Sequence, residues 1–179
     1  MTHSYMNDII EKDILDWVKN YIEVPHKFYN YQFAPCPYAK GARLKNLVDI
    51  KVYNSGNIFK FIKDNSIDLI TEKKLNTRIM VFPPYFKLFF FLKWYLFYLN
   101  TKFVKQDYYI QFGSATTTKS KYTGLFIGKP YRIIIINKLS DVIDASKILE
   151  KNSYYNNWNK KHYDTVVTRR EKFFKKYKK

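Results

Sequence analysis

The stretch Tyr131-Arg132-Ile133-Ile134-Ile135-Ile136 decides how the chain is read. Four consecutive isoleucines are β-branched, stiff at χ1 and apolar on both faces of an extended chain, so the run predicts a strand buried on both sides. Such a strand needs cover above and below, and helices packed on a sheet supply it.

Working outward, Ser140 with Asp141 reads as the cap of a helix through Leu149, and Asn152 to Lys179 as a last helical stretch with a basic end from about residue 159. Before the isoleucines, a polar linker from Gly113 to Pro130 leads back to Tyr108–Phe112, which reads as another strand. Leu47 to Tyr53 alternates Leu47, Asp49, Lys51 and Tyr53 against Val48, Ile50 and Val52, the period of a strand with one buried face. Asn54-Ser55-Gly56 is a turn signal, and Thr77 to Phe82 is β-rich and ends at Pro83-Pro84. Asn7 to Tyr21 spaces Ile9, Ile10, Ile14, Trp17, Val18 and Tyr21 as an amphipathic helix does, and Pro25 stops it. A second helix over Ile58–Ile70 is expected to break near Asn65-Ser66. Glu23 to Arg43, with Pro25, Pro35, Pro37 and Gly41, reads as a long irregular surface loop. The order β-α-β-α-β-β-α predicts an α/β or α+β fold, about four strands packed by helices in a single-domain sandwich over residues 1–179.

A chain of 179 residues, 46% apolar, buries enough to fold without disulfides or metal. Its lone cysteine and three histidines exclude a disulfide framework and a structural zinc site, and imply no cofactor. A reducing, cytoplasmic setting fits this cysteine usage and an N-terminus whose first residues include Asp8, Glu11 and Asp13. The densest apolar stretch, Val81 to Leu99, is interrupted by Lys87 and Lys93, so no membrane span is expected. Its rings predict a central core helix at 85–99; interfacial membrane binding or oligomer contact is the other use of such a surface.

Thirty-two Lys and Arg against 15 Asp and Glu give a net charge of +17, which implies acidic partners. An AT-rich coding sequence also enriches Lys, Asn, Ile, Tyr and Phe, but it does not remove carboxylates. The segment from Asn159 holds nine bases against Asp164 and Glu171 and interleaves them with Phe173, Phe174 and Tyr177. The candidate polyanion-binding residues are Lys119, Lys121 and Lys129 of the linker, with Arg169, Arg170, Lys172, Lys175 and Lys176. Gly113 to Ser120 nearly matches a phosphate-cradling loop, but Thr118 stands where that loop needs its second glycine, so a polar hairpin is expected.

Cys36 lies between Pro35 and Pro37 and shortly before Lys40, a setting that favours a thiolate, and the candidate bases are His26 in the same loop and His162 near the C-terminus. Ala39 replaces the second cysteine of a CPYC motif, which rules out a dithiol cycle within the chain.

At Cys36-Pro37-Tyr38-Ala39-Lys40 the chain resembles a bacterial family of uncharacterised proteins marked by an L-C-P-F-A-K segment after a tryptophan-containing helix, here with Trp17. Thr77–Val81 is similar to the family's T-x-L-L-V strand, and Tyr122-Thr123 through Pro130-Tyr131 to its Y-T-N…P-Y-P region. Two departures stand out: Ala34-Pro35 replaces the leucine, and Tyr109-Ile110-Gln111-Phe112 lacks the histidine of the family's F-H-P-x-F-x-F segment. The resemblance implies no particular activity, and its members are not strongly basic.

The favoured expectation is therefore binding of a polyanion, nucleic acid first among them. The alternatives are a small thiol-dependent enzyme or ligand-binding protein centred on Cys36, and an assembly protein that packs through the aromatic helix.

Overall fold

The computed structural model describes residues 3–82, 89–113 and 131–177. In chain order the elements are α1 (His3–Trp17), α2 (Ala39–Leu44), β1 (Val48–Val52), α3 (Ile58–Glu72), β2 (Thr77–Phe82), α4 (Phe89–Phe103), β3 (Tyr108–Phe112), β4 (Arg132–Lys138), α5 (Leu139–Lys151), α6 (Lys160–Tyr163) and α7 (Arg169–Tyr177). Short 3₁₀ turns lie at Lys27–Tyr29 and Val104–Gln106, and wide π-turns at Val18–Ile22 and Asp164–Thr168.

The fold is α+β, a four-stranded mixed sheet packed by helices, with strand order β1-β2-β4-β3. β1 and β2 run parallel, from Val48 opposite Thr77 to Val52 opposite Val81, and α3 is their crossover. β3 and β4 run antiparallel. The Gly113 N–H just after β3 donates to the Ile133 carbonyl near the start of β4, and the Leu139 N–H just after β4 donates to the Asp107 carbonyl just before β3. At Gly113 a Cβ would lie 2.3 Å from Ile133 Cγ1, so a side chain there would force the Ile133 side chain to move. The isoleucine run occupies β4, with Ile133, Ile134 and Ile136 buried.

The chain divides into two compact units, Met1–Lys87 with Phe112–Ile135, and Leu88–Gln111 with Ile136–Lys179. In the first, strand alternation places Ile50, Ile79 and Val81 with Ile133 on one face, where Ile14 of α1 covers them. The opposite side of β2 holds Arg78, Met80 and Phe82, and α3 lies there with Ile58, Ile62, Ser66, Leu69 and Ile70 on its buried face. Arg78 is 2% exposed. Its Nε donates to Asp49 Oδ2 at 2.8 Å, and its Nη1 to Asp68 Oδ2 at 2.6 Å and to the Asn65 carbonyl at 2.7 Å. One guanidinium thus ties β1, β2 and α3 together.

α3 runs unbroken, which corrects the break expected at Asn65-Ser66. The Ser66 hydroxyl donates to the Ile62 carbonyl at 2.7 Å and Asn65 Nδ2 to that of Phe61 at 2.9 Å, so both polar side chains bond back along the helix. Nor is Glu23–Arg43 wholly irregular. It contains the 3₁₀ turn and most of α2, and Glu23 bonds Arg43 through both carboxylate oxygens at 2.8 Å, joining its ends.

The second unit has its core at Val104, Tyr109, Leu139, Ile143 and Phe173. β3 is an outer strand, and Asn100 of α4 occupies its open side: its amide donates to the Ile110 carbonyl and accepts from the Ile110 N–H, both at 2.8 Å. A side chain there does what a fifth strand would do, and it blunts the edge. The N-terminus of α5 is capped from a distance. Asp107, held left-handed at φ 69°, accepts from the Ser140 N–H at 3.1 Å and from the Ser140 hydroxyl. The local cap expected from Ser140 and Asp141 is thus replaced by a carboxylate 33 residues upstream. α4 also differs from the expected all-round core helix. Leu92, Leu96, Leu99 and Phe103 are buried, but Phe91 and Trp94 face water, because only one side of the helix meets the unit's core.

Candidate functional site

The positive charge is unevenly distributed. Residues 1–82 carry 12 bases and 9 acids, whereas the remainder carries 20 and 6. A coding bias acts on both halves alike, so this asymmetry directs attention to the second.

Within it, α5 ends at Lys151, a turn follows, and Asn159 starts α6 by accepting the His162 N–H on its side chain at 2.9 Å. The Asp164–Thr168 π-turn then joins α6 to α7, with the Arg169 N–H reaching back to the Asp164 carbonyl. A π-turn holds one residue more than an α-turn. Lys161 and Arg169 are eight residues apart, and in an unbroken α-helix the second would lie roughly 80° round from the first. The extra residue absorbs that angle and places them nearly in line, two turns or about 11 Å apart. Lys160, Lys161, Asp164, Thr165 and Arg169 consequently line one open hollow of about 610 Å³.

All five are exposed. Among the described residues, Lys160, Lys161 and Arg169 form no ion pair, whereas Lys138, Lys147 and Arg43 each have a carboxylate. Asp164 accepts from the Thr168 hydroxyl at 3.1 Å, and Thr165 donates to the Lys161 carbonyl at 2.7 Å, which fixes the π-turn. Three bases against one acid leave the hollow positive.

Beside it lies a cluster of rings from the preceding turn and α6. Trp158 meets His162 in a tilted contact, centroids 4.1 Å apart and planes inclined at 43°, and Tyr155 meets Trp158 edge-on at 4.9 Å and Tyr163 at 5.3 Å. Buried Tyr154 supports them at 5.0 Å from Tyr155 and 5.8 Å from Trp158. Tyr155, Trp158, His162 and Tyr163 are each half-buried. Burial holds the His162 imidazole below its ordinary value, so at neutral pH it contributes a ring rather than a charge. Tyr163 donates to Glu150 at 2.9 Å, and burial together with that bond pushes its hydroxyl up to about 12. Sequence reasoning counted Lys160 and Lys161 in the basic end without selecting them, weighed His162 only as a base for Cys36, and passed over Tyr155, Trp158 and Tyr163. The available signal was the i, i+4 pair Trp158 and His162, next to an Asn-Lys-Lys helix start.

The residues selected from sequence are dispersed. Lys119, Lys121 and Lys129 lie outside the described residues, as do most of the Gly113–Ser120 loop and the segment's Tyr122–Pro130. Arg169 lines the hollow, and Lys172, Lys175 and Lys176 are exposed along α7. Arg170 turns inward. It is 8% exposed and its Nη2 donates to Ser146 Oγ at 3.2 Å, so it anchors α7 to α5 and is not a surface base. Phe173, read as one of the interleaved rings, is buried against Tyr109 at 5.7 Å.

Cys36 is exposed before α2, its N–H bonded to the Ile22 carbonyl. The His26 Nδ1 accepts the Phe28 N–H at 3.2 Å, which caps the 3₁₀ turn and occupies the nitrogen a base would use. Burial, then neighbouring Lys27, lowers this imidazole as well. Among the described residues no group of three or more His, Cys, Asp or Glu is placed to hold a metal ion. No family profile, no curated protein and no solved structure matches the chain.

Proposed function

We propose that the protein binds single-stranded nucleic acid, with Lys160, Lys161 and Arg169 on successive phosphates and the Trp158 cluster offering ring faces to unpaired bases. The observation behind this reading is the juxtaposition of three bases without carboxylate partners and a set of half-buried rings on one stretch of chain. Phosphate neutralisation supplies affinity through counterion release, and stacking favours strands whose bases are accessible. Duplex has its bases already stacked and offers the rings nothing.

The test is fluorescence anisotropy with a labelled single strand, the matching duplex and heparin as competitor. Trp158→Phe keeps affinity for the single strand, and Trp158→Ala lowers it by about 1–3 kcal/mol, the usual worth of one stacked base. Heparin and duplex compete weakly. Equal affinity for all three polyanions, with no effect of Trp158→Ala, would reduce the site to unspecific charge.

A further inference from the structure

We infer that the outer face of α4 seats the protein peripherally on an anionic lipid bilayer, a role that does not rest on the nucleic-acid reading. Phe91, Trp94 and Tyr98 recur at intervals of three and four residues and are 62%, 69% and 51% exposed. They form one stripe along about 10 Å of helix, opposite buried Leu92, Leu96 and Leu99. On a helix of a soluble unit, that side ordinarily carries polar groups. Phe97 widens the stripe and its ring meets Phe173 of α7 at 5.4 Å, so the aromatic face adjoins the helix that exposes Lys172, Lys175 and Lys176.

The charges select the occupant. From Phe89 to Gln106 the charged residues are Lys93, Lys102 and Lys105, with no acid. The Lys102 Nζ lies 4.6 Å above the Tyr98 ring, at the end of the stripe. Tryptophan and tyrosine favour the headgroup level of a bilayer, and lysine stems lie along apolar surface while their ammonium groups reach anionic lipid. Rings and bases together supply the two signals that stable peripheral binding requires. A second copy fits poorly, because a two-fold contact would face this patch with itself and bring lysines together without acids. A nucleic-acid strand fits poorly too, because a convex helix has no groove to track a backbone. Among the described residues no helix is long and apolar enough to cross a membrane, so the contact is one of lying on the surface.

The test is flotation of the full-length chain with phosphatidylcholine vesicles, with and without phosphatidylserine, for the native protein, Trp94→Ala and Tyr98→Ala. These exposed positions spare the core, and thermal unfolding checks that each variant folds. The expected result is binding that requires phosphatidylserine, drops about tenfold for each ring removed, and leaves oligonucleotide affinity unchanged. The proposal is overturned if the native protein does not float, or if both variants float as it does. Loss of oligonucleotide binding in Trp94→Ala, or a native dimer that this substitution dissociates without vesicles, would equally overturn it by assigning the face to a strand or to a second copy.

Discussion

His162 shows how a residue's neighbours set its role. Partly buried against Trp158, its imidazole protonates less readily than in the unfolded chain, where the value is about 6.5. Between the folded value and about 6.5, the unfolded chain takes up a proton that the folded chain resists. Stability is therefore unaffected above that window and falls as pH drops through it. His162→Phe keeps the ring and removes this share of the decline, leaving that of His26, whose imidazole is also lowered; denaturant unfolding across mildly acidic pH measures the difference. Arg78 is the structural counterpart. With its charge 2% exposed, removal of its ligand by Asp49→Ala costs about 3 kcal/mol in the same assay, because the guanidinium cannot recover water where it sits. An unchanged midpoint would show that Asp68 and the Asn65 carbonyl suffice.

At the scale of elements, the Asp164–Thr168 π-turn sets the register of the proposed binding face. Deleting Val166 lets the turn close as an α-turn, keeps Lys161 and Arg169 in line and preserves oligonucleotide affinity. Inserting one alanine after Val166 turns Arg169 by roughly 100° and lowers affinity by about tenfold, the worth of one charge-assisted contact. Circular dichroism checks that helix content is unchanged in both. The elements themselves were largely legible in sequence. The alternation in Leu47–Tyr53 and the isoleucine run each produced a strand, because period and β-branching are local properties. What escaped was long-range or dependent on register. Asp107 caps α5 from 33 residues away, and Asn100 closes the edge of β3 across ten, so no window on the chain shows either. Ser66 read as a breaker, yet a hydroxyl that bonds back to Ile62 is tolerated inside α3. At the candidate site, the basic end was visible as composition, but Arg170 and Arg169 are adjacent in sequence and face opposite environments. Only the helix phase beyond the π-turn separates them.

For the whole molecule, the charge excess is concentrated beyond residue 82, and the proposed role requires that it act as an arranged face and not as a uniform property of the surface. Cys36→Ser, far along the chain in the other unit, leaves nucleic-acid binding and its salt dependence as they are in the native protein. The most direct measurement is the slope of log affinity against log salt for a single strand, native against Lys160→Ala/Lys161→Ala/Arg169→Ala. Each phosphate neutralised contributes about 0.7 to the slope, so the triple variant is predicted to bind more weakly with a slope about 2 units shallower. A triple variant that weakens no more than three exposed lysines changed elsewhere, with the native slope intact, would show that these bases do not form a distinct binding face.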